Sequence, residues 1–358
     1  MVPIDIKLRV AEINALCLIL MMLSGNAMLA GLDMFFCVAG VSLFYGLRFS
    51  ERSSISPMIV IVGISIVLIC LALTYFASNV DVPYLQFYYL WPIKFALMMI
   101  FGLLMGSFDF GRLAYVLLLS LSVVTLLTGS FENGRLDSFF GPNMLYRIYA
   151  LLVFYSIFGY KHLFLNRLYC GLGVAFGLWL TLLTGSVGGI ATVLATFFLS
   201  GVFKFNFRHL LFLIICALIL FSLPELLPLR VAYKIENFDT VGRIVNWINI
   251  LEHFEVFKFY IHSDFNDIWS YGFMYPHNIF IELSIFYGVF GYLLVVLVTL
   301  AVFKERGSPI HVMLCVYLMG SLLSGDLSDN FPVLALAVLI LLRHEKFNWV
   351  IFNYKRLK

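Results

Sequence analysis

The stretch PMIVIVGISIVLICLALTYFA, residues 57–77, decides the fold class. It holds no charged residue, and about 20 apolar residues in a row are what a helix needs to cross the hydrocarbon core of a bilayer. A strand of a membrane β-barrel alternates in polarity and does not run apolar at this length, so a barrel is excluded. Comparable runs recur along the chain. Working outward from this one, about twelve spans are expected, near 10–29, 31–47, 57–77, 90–107, 113–129, 143–160, 168–184, 186–203, 209–227, 277–303, 310–323 and 331–343. Of the 358 residues, 62% are hydrophobic and 12% are charged, about half the charged fraction of a soluble domain. The chain reads as an all-α polytopic membrane protein forming a single integral membrane domain. Membrane lipids are its expected surroundings, and no nucleic-acid partner is expected.

Orientation follows from Lys and Arg in the connections. Of the 23 such residues, Arg135, Arg230, Lys234, Arg243 and Lys258 fall on one side, Lys94 and Arg147 fall within spans, and all others fall with the two termini. That bias places both termini in the cytoplasm, as an even number of spans requires. Lys94 and Arg147 lie near span ends, where a long side chain can snorkel to the surface. The first span follows Lys7 and Arg9 and lacks a small-residue cleavage site, so it is expected to be retained. All six cysteines fall inside apolar runs, and no disulfide framework is indicated.

The long connections are then on the outer side. One is SFENGRLDSFFGP, 130–142; the other, 228–276, is much larger. Outer arginines run against the charge bias. Arg135, Arg230 and Arg243 each read either as a cation solvated among headgroups or as part of an anion site, where guanidinium holds phosphate bidentately. Within the large loop, VGRIVNWINILEHF (241–254) is amphipathic. Val241, Ile244, Ile248 and Leu251 share one face, and Arg243, Asn246, Asn249 and His253 fall towards the other. With Trp247, this suits either a helix along the membrane interface or a packed loop helix. His253, His262 and His277 lack the spacing of a metal site, and no metal is expected.

The stretch YPHNIFIELSIFYGVFGY, 275–292, puts polar groups at the lip of a span. Pro276 suits a first helical turn. His277 and Asn278 then stand at a helix N-terminus, which favours anions, and a histidine there can exchange protons near neutral pH. Glu282, four residues after Asn278, shares its face and should point into the protein or a wet cavity. The plainer reading of these groups is helix capping and interhelical hydrogen bonding.

PHNIFIELSIFYGVFGYL resembles the His-Asn segment of the O-antigen polymerase and O-antigen ligase superfamily, with its Gly-x-x-Gly at Gly288 and Gly291. LLTGSVGGIATVLATFFLSGVF (182–203) resembles the family's small-residue turn between spans. GRLDSFFGPNMLYRIYALL (134–152) resembles its Arg followed by a Gly-Pro-Asn start to the next helix, and GRIVNWINILEHF its Gly-Arg…Trp loop helix. The four occur in the family's order over roughly 130–300. The resemblance implies a GT-C-like membrane glycosyltransferase of the bacterial inner membrane. It would act at the periplasmic face on undecaprenyl-pyrophosphate-linked oligosaccharide, without metal or cofactor, with a polysaccharide chain-length regulator as a candidate partner. It implies His277, Arg243, Arg230 and Glu282 as catalytic residues, and Arg135, Asn278, Asn143 and Trp247 as substrate-binding residues. Ser186 followed by Val187, where ligases carry Ser-Arg, and Glu282 a turn after the His-Asn pair favour a polymerase. The alternatives are a ligase that transfers glycan to the lipid A core and, from another class, a transporter or lipid-linked oligosaccharide flippase.

Overall fold

The computed structural model describes residues 4–25, 28–29, 32–49, 90–105, 107–132, 135–138, 140–161, 165–200, 245, 247–248, 250, 252, 278–304, 306–322 and 327–342. They are almost entirely helical. The helices are α1 (Ile4–Leu23), α2 (Met34–Phe49), α3 (Trp91–Leu104), α4 (Arg112–Thr128), α5 (Gly141–Lys161), α6 (Arg167–Leu183), α7 (Val187–Leu199), α8 (Ile279–Lys304), α9 (Pro309–Ser321) and α10 (Leu327–Leu342). Each falls on one of the expected spans. The expected spans at 57–77 and 209–227 lie outside the described residues. Two small antiparallel hairpins interrupt the helical pattern: β1 (Met28–Leu29) with β2 (Leu32–Asp33), and β3 (Ser130–Glu132) with β4 (Arg135–Asp137). The second occupies the connection 130–142. Pairing lets the backbone there satisfy its own N–H and C=O groups while turning between two spans.

Short polar side chains start the helices where the sequence leaves its turns. Asp33 accepts from Phe35 N at 3.0 Å, Asn166 from Tyr169 N at 2.9 Å, Ser186 from Gly189 N at 3.3 Å and Ser308 from His311 N at 3.2 Å. Each takes up an N–H that the first helical turn leaves without an intrahelical partner.

The centre of the bundle is α5, α9 and α10. From Leu145 to Ser156, α5 is buried on every side, and α9 is buried along nearly its whole length. Helix α5 packs on α4, α6, α7 and α9; α10 packs on α3, α8 and α9. A helix apolar all round belongs inside a larger assembly or a membrane. At 13 residues α9 is about 20 Å long, shorter than the hydrocarbon core. Protein surrounds it along nearly its whole length. Among the described residues, the segment Tyr287–Lys304 is long and apolar enough to cross a membrane; the other apolar helices run 10–17 residues.

That segment is the second part of a broken helix. Gly288 has φ 51° and ψ −128° inside α8, a conformation open to glycine and strained for residues with a Cβ. Three residues on, a Cβ at Gly291 would lie 1.8 Å from the Leu283 carbonyl oxygen. The Gly-x-x-Gly pair is thus what lets α8 fold sharply back on its own first part. Beyond the break, Phe290, Leu293, Val296, Leu300 and Phe303 form a stripe at helical spacing, each more than half exposed. Gly291→Ala is predicted to force the break apart and destabilise the fold by at least about 2 kcal/mol, read as a lower unfolding temperature in detergent. A substitution at Gly40, where a Cβ meets nothing, is the comparison.

At the opposite end, the α3–α4 connection is stitched to α1. Asp109 N donates to Ala11 O at 3.2 Å, and Asn14 Nδ2 donates to Ser107 O at 2.8 Å. Burial pushes the Asp109 carboxyl up to about 6, against the Phe110 N–H that it accepts, and the Glu12 carboxylate adds to the rise. A carboxyl whose folded pKa lies above its unfolded value holds its proton more tightly in the folded chain. Stability is therefore predicted to fall as pH rises from about 4 to about 6, and to fall less steeply in Asp109→Asn, measured by thermal unfolding across that range.

Candidate functional site

The expected site residues distribute unevenly. His277, Arg230 and Arg243 lie outside the described residues. Arg135 lies on β4 with its backbone paired to Glu132, the last pair before the hairpin turn. Asn143 is exposed in the first turn of α5. Trp247 is half-buried, with 245, 247, 248, 250 and 252 helical. Ile248, on the expected apolar face, is nearly half exposed, as is Val245, whereas Ile250 is buried; periodicity does not tell whether an apolar face meets protein or the medium around it.

Asn278 and Glu282 are well placed to be read. Asn278 Oδ1 accepts from Phe280 N at 3.0 Å and from Ile281 N at 3.3 Å, capping α8. Its Nδ2 donates to Leu322 O at 3.3 Å, which ties α8 to the end of α9. Both ends of the amide are thereby used, as the capping reading anticipated. Glu282 is completely buried one turn deeper, between the cap and the break at Gly288. A carboxylate in such a place is held only where protein groups face it.

The same end of the bundle contains a buried cation on α5. Arg147, expected to snorkel, is 1% exposed. Its Nη2 donates to Asn330 Oδ1 at 2.6 Å, and its guanidinium stacks 5.0 Å from the centre of the Tyr317 ring. Gly320 makes room for it, since a Cβ there would come within 2.7 Å of Nε. Tyr146, its neighbour, donates to the Gly320 carbonyl at 3.2 Å. The arginine cannot reach the surface because α5 is enclosed on all sides, so α9 and α10 solvate it instead. The signal was in the sequence as a charge two turns into an apolar run, which is a functional hypothesis by default.

Lys94 is corrected in the same way. It is 3% exposed, pairs with Asp33 at 2.7 Å, donates to the Gly25 carbonyl and lies 5.8 Å over the Phe35 ring. Phe35 meets Phe331 edge to face at 5.3 Å. Asn330 and Phe331, adjacent at the start of α10, therefore connect the two buried cations. Nearby, Trp91 Nε1 donates to the Tyr287 hydroxyl at 3.1 Å, bracing the α8 break.

The arrangement is a polar layer near one end of an apolar bundle. It holds two cations, Arg147 and Lys94, and two carboxylates, Asp33 and Glu282, with exposed Asn143 one turn outward from Arg147 on the same face of α5. Among the described residues no group of three or more His, Cys, Asp or Glu gathers as a metal centre would require. No family model, no curated protein and no solved structure matches the chain.

Removing the partner of a buried cation leaves an uncompensated charge. Asn330→Leu is predicted to destabilise the fold by about 3 kcal/mol. The double variant Arg147→Met/Asn330→Leu should lose less than the sum of the single losses, as a thermal or denaturant double-mutant cycle would show.

Proposed function

We propose that the chain is a membrane-embedded glycosyltransferase with about twelve spans and a GT-C-like layout. It transfers an undecaprenyl-pyrophosphate-linked glycan onto a lipid-linked repeat unit at the periplasmic face of the inner membrane, as an O-antigen polymerase does. The observation that carries this reading is the broken start of α8. Its Asn278 cap, buried Glu282 and Gly288/Gly291 break are the elements of the family-like segment, and they meet the end of α9 beside Arg147. Non-helical backbone at membrane depth is tolerated where it is buried in protein or lines a cavity, and broken helices often build sites there. The exposed apolar stripe on α8 supports the membrane setting: a soluble monomer rarely carries so continuous an apolar surface.

A pyrophosphate-activated donor carries its own leaving group. The remaining demands are to hold the diphosphate charge and to aim an acceptor hydroxyl at the anomeric carbon. Arg243 and Arg230 are assigned to the departing diphosphate, His277 to the acceptor proton, and Arg135, Asn143 and Trp247 to the glycan. Glu282, buried beneath the cap, is a positioning residue that orients the start of α8. Arg147 fixes the neighbouring helix ends.

Deletion of the gene tests the reaction, with the surface polysaccharide resolved on a gel. A core carrying a single repeat unit is the expected result. Complete loss of O-antigen with lipid-linked polymer accumulating would assign a ligase instead, and unchanged banding would remove both. For the site, His277→Ala and Arg243→Ala are each predicted to abolish polymer at unchanged membrane abundance. Glu282→Gln, which keeps the shape, should lower turnover at least about tenfold.

A further inference from the structure

Helix α6 carries glycines of two kinds. A Cβ at Gly173 would run into Ser156 Oγ, and one at Gly177 would lie 2.7 Å from Val153 Cγ2, so both let α6 lie close against α5. Gly171 faces away, and a Cβ there meets nothing within 4 Å. At about 100° per residue, Leu168, Gly171, Leu172, Ala175 and Trp179 follow one side of the helix, and all five are exposed. That side is a shallow apolar trough, low at Gly171 and Ala175 and walled by the larger side chains. At about 1.5 Å per residue it is roughly 17 Å long.

The trough leads to a pair of cations at the far end of α5 from Arg147. Lys161 ends α5 and Arg167 starts α6, and Leu165 N donates to Gly159 O at 3.0 Å across the turn between them. Arg167 Nε donates to the Tyr160 hydroxyl at 2.9 Å, and its guanidinium lies 5.9 Å from the centre of that ring. Tyr160 thus holds the guanidinium beside Lys161, and both cations are exposed. No Asp or Glu occurs between Asp137 and Glu225, and among the described residues neither cation has an acidic partner. Other cations at this end of the bundle are answered: Arg9 and Arg112 flank the Glu12 carboxylate, and Lys304 donates to Leu341 O at 2.6 Å.

Two unanswered cations at the head of an apolar trough are complementary to a lipid whose headgroup is net negative. Guanidinium takes two phosphate oxygens at once, and the ammonium adds a point charge. A zwitterionic headgroup would bring a cation of its own against the pair. A second copy of the chain could approach closely over the small residues. Pairing about a two-fold axis through this side, however, would set two Lys161–Arg167 pairs at one level with no acid between them. We infer that Lys161 and Arg167 bind the phosphate of an anionic phospholipid whose acyl chain lies along Leu168, Gly171, Leu172 and Ala175. The site rests on the membrane setting of the bundle and not on the reaction it performs.

Native mass spectrometry of the full-length chain in detergent tests the site, with added phosphatidylglycerol or phosphatidylethanolamine of the same acyl chains. Phosphatidylglycerol is expected to bind at least about fivefold more tightly. Lys161→Gln/Arg167→Gln should remove that preference, while Arg9→Gln/Lys304→Gln, with the same change of charge, keeps it. Gly171→Leu fills the trough, leaves both cations in place and should weaken phosphatidylglycerol binding at least about threefold. Equal binding of the two lipids, a preference that survives Lys161→Gln/Arg167→Gln, or wild-type binding by Gly171→Leu overturns the site. Displacement of the lipid by an equal concentration of inorganic phosphate also overturns it, by marking a site for the bare anion. So does a stable dimer abolished by Gly171→Leu, which would put a second copy on the trough. The setting is read separately: a chain recovered in the soluble fraction without detergent overturns the membrane reading, and the site with it.

Discussion

A guanidinium is held within a stretch of helix buried on every side, and one end of the bundle is organised by that constraint. α5 gives Arg147 no path to the surface. Asn330 must supply an oxygen, Tyr317 a ring face and Gly320 the space. These demands fix where α9 ends and where α10 begins. Because Asn278 is bonded to Leu322 just past the end of α9, they also set the height at which α8 starts. Through Phe331, the neighbour of Asn330, the same helix start touches the Lys94–Asp33 pair. A buried charge network of this kind is weak evidence for net stability and better evidence for a unique arrangement.

The polarity of the bundle is therefore uneven along its axis. One end concentrates Arg147, Lys94, Glu282 and the helix break. The lower part of α8 shows an apolar stripe outward, and α9 is enclosed by protein. An enzyme that meets a lipid-linked substrate needs such a division: an apolar wall that keeps the protein beside its substrate's lipid, and an ordered polar layer where the headgroup arrives.

Helix positions were legible because a span's length and apolarity are local properties of the chain. The runs at 90–107, 113–129 and 168–184 became α3, α4 and α6 within a few residues. The capping role of Asn278 was legible for the same reason, since an N-cap acts within its own first turn. The partners of Lys94 and Arg147 were not. A charge near a span end can snorkel or be enclosed, and the outcome depends on which helices pack around it. Asp33 and Asn330 lie 61 and 183 residues away in sequence. Gly288 and Gly291 stood out as a spacing, but the fold-back they permit appears only with the Leu283 carbonyl in place. The hairpin at 130–137 was hidden because three-residue strands carry too little pattern to be seen.

The account turns on which side of the membrane the 228–276 segment occupies. Ser263→Cys, in the middle of that segment, can be exposed to a membrane-impermeant maleimide on intact spheroplasts, with the parent chain as the background for the native cysteines. Labelling before permeabilisation, and no further increase after it, is the predicted result. Labelling that appears only once the membrane is opened would put the segment in the cytoplasm, and the assignment of an outer-face transferase would be contradicted.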